Sequence, residues 1–100
     1  MHCTLTYDLG ATGDRRTQIE AEIDKILKPY RWAKRLTTFY VVEIDSKENW
    51  DKLLTDLQNL SKSISERFHF IMSPPMTGGR YNGILPSGKW DFINEITSKG

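Results

Sequence analysis

The sequence of this 100-residue chain predicts an α+β fold built on a four-stranded antiparallel sheet. Three observations carry this prediction. Residues 3–9 and 68–72 alternate their side chains with the two-residue period of a half-buried strand. Residues 37–44 are dense in β-branched and aromatic side chains, which favour a strand. Two apolar stripes at helical spacing separate these segments, so the predicted order is β-α-β-β-α-β.

The first strand and the first helix are predicted within residues 3–27. The strand has three side chains on one face: Cys3, Leu5 and Tyr7. Residues 10–14 interrupt this alternation and offer Thr12 or Asp14 as an N-cap, because their side-chain oxygens can accept hydrogen bonds from the first helical turn. Isoleucine and leucine follow at positions 19, 23, 26 and 27, and the helix should end just before Pro29.

Residues 32–44 are long enough to hold two strands, with a tight bend expected near Lys34 and Arg35. Asp45 precedes Glu48 by three positions, which is typical of a capping box at a helix start. The second helix has an apolar stripe formed by Trp50, Leu53, Leu54, Leu57 and Leu60. Residues 68–72 form the last core strand, which the prolines at 74 and 75 end.

Two helices separated by antiparallel strands pack on one face of the sheet in the split βαβ arrangement. We therefore predict a ferredoxin-like βαββαβ core over residues 1–75. Residues 76–100 form a C-terminal extension that holds five of the seven glycines. Within it, residues 90–96 fit a short helix or an added edge strand, and periodicity does not decide between them.

Composition favours a globular cytoplasmic protein, because 38% of the residues are hydrophobic and 27% are charged. The single cysteine excludes an internal disulfide and a cysteine-built zinc site, which favours a reducing environment. No apolar stretch approaches the length of a membrane span, so we expect no membrane partner. The net charge of +1 conceals a basic middle, since residues 28–44 carry four basic side chains and one acidic side chain. This distribution favours an anionic partner.

Asp8 is the main candidate for chemistry, because it stands where the first strand ends and the loop begins. In a symmetric dimer, two copies of this aspartate can share a divalent ion near the two-fold axis. Magnesium held by one or two carboxylates keeps several waters and can position one of them against a phosphodiester. The alternative is structural: Asp8 caps the loop or the first helix through backbone N–H groups.

Two groups of basic residues are candidate nucleic-acid contacts. Arg15 and Arg16 open the first helix, where cations oppose the helix dipole, so they either neutralise phosphate near Asp8 or lie in solvent. Residues 28–35 combine two aromatic side chains with four basic ones: Lys28, Arg31, Lys34 and Arg35. Basic side chains attract phosphate and aromatic rings stack on unpaired bases, but these rings can equally pack under the helix.

Other catalytic patterns are missing from the sequence. His2 and His69 do not have a metal-ligand spacing, and His69 lies inside a predicted strand, so a structural role is favoured for both. Cys3 is expected to be a small buried apolar residue. Residues 78–83 are glycine-rich but lack the spacing of a P-loop, and we interpret them as a mobile loop.

A family resemblance rests on residues 5–9, Arg15 and Arg16, the first helix, and residues 36–42. Together they resemble the smaller CRISPR spacer-acquisition protein and its relatives, which include the virulence-associated protein D ribonucleases. The resemblance covers about residues 3–72. It implies a ferredoxin-like homodimer with an interfacial metal site, holding Mg²⁺, around Asp8. It also implies RNA or DNA as substrate and a CRISPR-type protein as a further partner.

Two features depart from the family pattern: residues 73–75 with the glycine-rich tail do not match its closing strand, and the loop before the first helix is longer. Three hypotheses follow. The first is a dimeric metal-dependent nuclease with Asp8 as ligand, Arg15 and Arg16 as phosphate clamps, and Lys34 and Arg35 as backbone contacts. The second is a non-catalytic nucleic-acid scaffold of the same fold. The third is a domain that binds a small ligand or a protein through the tail loop.

Overall fold

The computed structural model describes residues 1–36, 39–78 and 89–97, except for the side chains of residues 35, 36, 89 and 90. The elements are β1 (His2–Leu9), α1 (Gly13–Leu27), β2 (Trp32–Leu36), β3 (Phe39–Glu43), α2 (Lys47–Ser63), β4 (Phe68–Met72) and α3 (Lys89–Thr97). The four strands form one sheet in the order β2-β3-β1-β4, and every neighbouring pair is antiparallel. This architecture confirms the predicted α+β, ferredoxin-like fold.

The main core lies between one face of the sheet and the helices α1 and α2. The strand β1 contributes the side chains that alternation predicted: Cys3, Leu5, Tyr7 and Leu9. The two helices contribute Ile19, Ile23 and Leu27 from α1 and Leu53, Leu57 and Leu60 from α2. Burying one such aliphatic side chain stabilises a fold by about 1.5–3 kcal/mol, so this layer provides most of the driving force for folding.

Local chemistry sets where the helices begin. Thr12 is the N-cap of α1, although its side chain makes no capping hydrogen bond. In α2 the N–H of Asn49 donates to the Oγ of Ser46 at 3.2 Å. The expected capping box from Asp45 is therefore wrong by one position, because Ser46 is the residue whose extended backbone aims its hydroxyl at the first turn.

Residues 32–44 form two strands as predicted, but the expected bend near Lys34 and Arg35 is wrong. Both residues lie inside β2, which continues to Leu36. The pairing of β2 with β3 shifts register between Lys34 and Leu36. Such an irregularity takes up an extra residue while the strand stays in the sheet, so β2 does not end at Arg35.

The helix α3 packs on the face of the sheet opposite to α1 and α2. Four buried residues form this second, smaller cluster: Ala33, Val41, Ile93 and Ile96. They join α3 to β2 and β3. Upstream of α3, Met76 forms a short bridge with His2, in which each backbone N–H donates to the other residue's carbonyl oxygen, at 2.7 and 2.8 Å. Both contacts tie the C-terminal extension to the sheet.

On the same side as α3, the strands β1 and β4 present four exposed side chains: Thr6, Asp8, His69 and Ile71. We call these four residues the open face. They form two adjacent cross-strand pairs, because Thr6 lies opposite Ile71 and Asp8 lies opposite His69. Ile71 is 72% exposed and is the one exposed large hydrophobic residue within the described ranges. Among the described helices, none is long and apolar enough to cross a membrane.

Candidate functional site

The neighbours Tyr7 and Asp8 point to opposite sides of β1. Tyr7 lies in the main core, where its hydroxyl donates to Glu20 Oε2 at 3.1 Å. Burial raises the pKa of the Tyr7 phenol, and the nearby Tyr40 and Glu20 raise it further. The phenol therefore stays protonated and its hydrogen bond joins β1 to α1, whereas Asp8 lies on the open face.

Asp8 is one residue from the end of β1, and 66% of its side chain is exposed. Arg67, which precedes β4, donates from Nε to Asp8 Oδ2 at 3.0 Å and from Nη2 to Oδ1 at 3.5 Å. This side-chain contact differs from the structural alternative, in which backbone N–H groups of the loop would bind Asp8. An ion pair this exposed contributes only about 0–1 kcal/mol, so the carboxylate can exchange its partner for another cation.

Gly10 gives Arg67 its place beside Asp8. The Gly10 N–H donates to the Arg67 carbonyl oxygen at 2.7 Å, so the ladder between the two strands continues past Leu9. A Cβ atom at position 10 would lie 3.1 Å from the Arg67 Cβ and 3.3 Å from its Cζ. The missing side chain therefore leaves the space through which the guanidinium reaches the carboxylate.

His69 lies directly opposite Asp8 on β4 and is exposed on the same face. Both residues line a shallow groove of about 250 Å³, together with Thr6, Tyr7, Phe70 and Ile71. Sequence reasoning missed this pairing, because the two positions are far apart in the chain and only the register of β1 and β4 joins them. The available signal was the alternation of both strands, which assigns each residue to the outward face.

Arg15 reaches from the start of α1 to Glu66, the residue before Arg67. Its Nε donates to Glu66 Oε2 at 2.6 Å and its Nη2 donates to Oε1 at 3.0 Å, so the contact is bidentate. The hydrogen bonds from Arg15 lower the pKa of Glu66 from 4.5 to about 2, because they stabilise the charged carboxylate. Glu66 is next in the chain to Arg67, which binds Asp8. Arg15 therefore lies at the same end of the sheet as Asp8.

Arg16 binds the loop between β1 and α1. Its Nη1 donates to the carbonyl oxygen of Leu9 at 3.2 Å and to that of Ala11 at 3.4 Å. Its Nε also lies 3.5 Å from Glu20. The structure thus brings both predicted arginines close to the end of β1, but it gives Arg16 a role in holding the loop.

Arg31 and Lys34 face different sides of the sheet. Arg31 lies 2.6 Å from Glu95 of α3 and its guanidinium lies 5.6 Å from the ring centroid of Phe92. Lys34 is 3.8 Å from Glu20 of α1 and lies over the ring of Tyr40. The predicted basic segment therefore does not form a single surface with Asp8.

Three further predictions concern the aromatic residues of this segment, Arg35 and the glycine-rich loop. Tyr30 and Trp32 are partly buried against the main core, which is the packing alternative. The side chain of Arg35 lies outside the described residues, and so do positions 37 and 38 of the family resemblance. The glycine-rich loop at 78–83 also lies outside them from residue 79 onward, together with the hypothesis of a tail-loop ligand.

One protomer alone does not supply a complete metal site. Within residues 1–36, 39–78 and 89–97, no group of three or more His, Cys, Asp or Glu side chains is placed to hold a metal ion. Asp8 offers one exposed carboxylate, and hydrated Mg²⁺ is usually held by one or two carboxylates. The residues present therefore fit a hydrated magnesium ion best where a second copy adds its own aspartate as the second carboxylate.

Comparisons with protein-family models, with curated proteins and with solved structures found no match to this chain. The resemblance to the CRISPR spacer-acquisition and virulence-associated families therefore stays a prediction. The placement of Asp8, His69 and the nearby arginines is the structural basis for a proposal about function.

Proposed function

We propose that this protein is a homodimer that handles nucleic acid, and that each protomer contributes Asp8 to a divalent-cation site between the two copies. The observation that carries the proposal is the placement of Asp8 as an exposed carboxylate on the open face. A two-fold axis near this residue would bring two carboxylates together, which is the ligand set that suits hydrated Mg²⁺.

The open face supports a second copy at this position. Ile71 is 72% exposed on this face, next to the pair formed by Asp8 and His69. Packing of two open faces against each other would therefore bury Ile71 and bring both Asp8 residues to the interface.

The arginines at this end of the sheet supply groups that recognise phosphate. A guanidinium can donate two parallel hydrogen bonds to a phosphate, as Arg15 does to the carboxylate of Glu66. Arg67 is 53% exposed and lies on Asp8, so it is placed to bind a phosphate beside the cation site. A bound divalent ion would supply Lewis-acid activation of a water or of a phosphoryl oxygen.

The experiment that tests this proposal compares wild type with Asp8→Ala in cleavage of labelled RNA and DNA in the presence of Mg²⁺ or Mn²⁺. We expect cleavage to fall by about 100-fold or more, because the variant removes a direct metal ligand. Circular dichroism and urea unfolding should remain as in wild type, since Asp8 is exposed. Asp24→Ala, which removes an exposed carboxylate from α1, is the matched control. Cleavage by Asp8→Ala at the wild-type rate would refute the nuclease site.

A non-catalytic scaffold of the same fold is the second candidate. The grouping of Arg15, Arg16 and Arg67 at one end of the sheet favours it, because phosphate binding by these side chains needs no cation. This candidate predicts salt-sensitive binding of nucleic acid without turnover, weakened by Arg67→Glu and unchanged by Asp24→Ala. Cation-dependent turnover that is lost in Asp8→Ala would exclude it.

A further inference from the structure

We infer that His69 is a second ligand of the Asp8 cation site, and that the site therefore selects a transition-metal dication such as Mn²⁺ or Zn²⁺ over Mg²⁺. This inference rests on the proposed dimeric cation site and specifies its ligands. It also assigns a role to a histidine for which sequence spacing indicated none. The structural basis is the register of β1 and β4, which places the imidazole directly opposite the carboxylate.

Backbone hydrogen bonds define the geometry of this pair. The N–H of Gly10 donates to the carbonyl of Arg67, and the N–H of Ser73 donates to the carbonyl of Thr4. These bonds show that even-numbered residues of β1 occupy hydrogen-bonded pairs with β4. Opposed Cα atoms in such pairs are about 5.5 Å apart. A carboxylate oxygen and an imidazole nitrogen can converge over this span on one ion at the usual ligand distance of about 2.0–2.2 Å.

In the part of the chain that the structure describes, no strong contact of either side chain competes with binding of such an ion. Within the described residues, the side chain of His69 makes no hydrogen bond or ion pair, and it is exposed. Among residues 1–36, 39–78 and 89–97, the side chain of Asp8 is bound by the exposed guanidinium of Arg67 alone. The groove is open to solvent, and Asp8 and His69 are both among its lining residues. An ion can therefore enter without a rearrangement of the sheet.

The donor set decides the class of metal. Mg²⁺ is bound through oxygen ligands, whereas imidazole nitrogen suits first-row transition metals and zinc. One protomer offers one oxygen donor and one nitrogen donor, which is too few for a stable site. Two protomers related by a two-fold axis offer two carboxylates and two imidazoles, a mixed oxygen and nitrogen donor set that suits Mn²⁺ and Zn²⁺.

The test measures binding of MnCl₂, ZnCl₂ and MgCl₂ to the full chain by titration calorimetry, with molar mass followed by sedimentation equilibrium. We expect one Zn²⁺ or Mn²⁺ ion per two chains, bound more tightly than Mg²⁺. His69→Ala should weaken Zn²⁺ and Mn²⁺ binding by about 10–100-fold or more, and should change Mg²⁺ binding by less than about twofold. Asp24→Ala is again the control and should bind as wild type does.

A magnetic-resonance readout locates the ion independently of affinity. Added Mn²⁺ should broaden the imidazole proton signals of His69 strongly, while those of His2, which is buried against Met76 at the other end of β1, should broaden less. Arg67→Ala should tighten binding by up to about fivefold, because it removes a cation that competes for Asp8.

The two proposals can fail separately. Equal binding of Mn²⁺ and Zn²⁺ by wild type and His69→Ala, together with weaker binding by Asp8→Ala, would overturn the role of His69 and leave the Asp8 site in place. Binding that neither Asp8→Ala nor His69→Ala weakens, or no binding at millimolar metal, would overturn both.

Discussion

Arg15 and Glu66 form an ion pair that joins the start of α1 to the segment before β4. Because Arg15 stabilises the charged form of Glu66, the pKa of this carboxyl in the folded protein drops from 4.5 to about 2. A lowered folded-state pKa stabilises the fold above the unfolded-state pKa, and this contribution is lost as pH falls towards the folded-state value. The window of this loss is therefore pH 4.5 to 2.

We expect Glu66→Gln to lower the free energy of unfolding by a constant amount above pH ~5 and by a shrinking amount below it. The difference from wild type should vanish near pH 2, where Glu66 itself becomes protonated. Urea unfolding curves at intervals of pH measure this difference. Glu22→Gln, at an exposed site on α1, is the control. A difference that stays the same from pH 7 to pH 2 would contradict the assigned cause.

Single positions differ in how far the sequence predicts them. The outward placement of Asp8 follows from alternation along β1, and the buried state of Cys3 follows from the same pattern; burial also raises the pKa of its thiol to about 12. The contacts of Asp8 with Arg67 and His69 do not follow, because they depend on the register between two strands. Register depends on which faces of the paired strands are buried together and on the connections between the strands, and the pattern of one strand alone does not show it.

The helix α3 depends on the sheet for its stability. It has nine residues, and isolated helices this short are marginal in water. Ile96 is fully buried against Ala33 and Val41, and Arg31 adds an ion pair with Glu95. Detachment of α3 would therefore expose a small apolar cluster on β2 and β3 while the main core keeps its own contacts.

Ile96→Ala should release α3 and leave the four-stranded core folded. The loss of a buried isoleucine side chain costs about 2–5 kcal/mol, which exceeds what a nine-residue helix can offset. Hydrogen exchange should accelerate for α3 amides and remain slow for α2. Leu57→Ala, in the main core, should instead accelerate exchange throughout the molecule. Uniform acceleration in Ile96→Ala would show that both clusters unfold together.

The elements of the main core were predictable because each has a clear period and a clear end. The placement of α3 was not, since residues 90–96 fit two structures and no local pattern shows which face they cover. One signal was available in β3, where Phe39, Tyr40, Val41 and Val42 are consecutive. A run without polar alternation is typical of a strand that is covered on both faces, as β3 is by the main core and by α3.

The proposed homodimer can be tested on the surface that the chain leaves uncovered. Ile71→Lys adds a charge to the open face, and we expect it to convert the proposed dimer into a monomer. Sedimentation equilibrium measures the shift, while urea unfolding checks that the protomer stays folded. Thr55→Lys adds the same charge to an exposed position of α2 and should leave the dimer intact. A dimer that persists unchanged in Ile71→Lys would place the interface elsewhere.

Because α3 covers β2 and β3 but the open face lies on β1 and β4, the two halves of this side of the sheet are unlike each other. In the proposed homodimer, a second copy that binds through the open face uses the same patch on both chains, and such a contact closes at two copies. The helix α3 lies beside this patch on the same side of the sheet. It would therefore confine the contact of the proposed dimer to β1 and β4 and set where a second copy can approach.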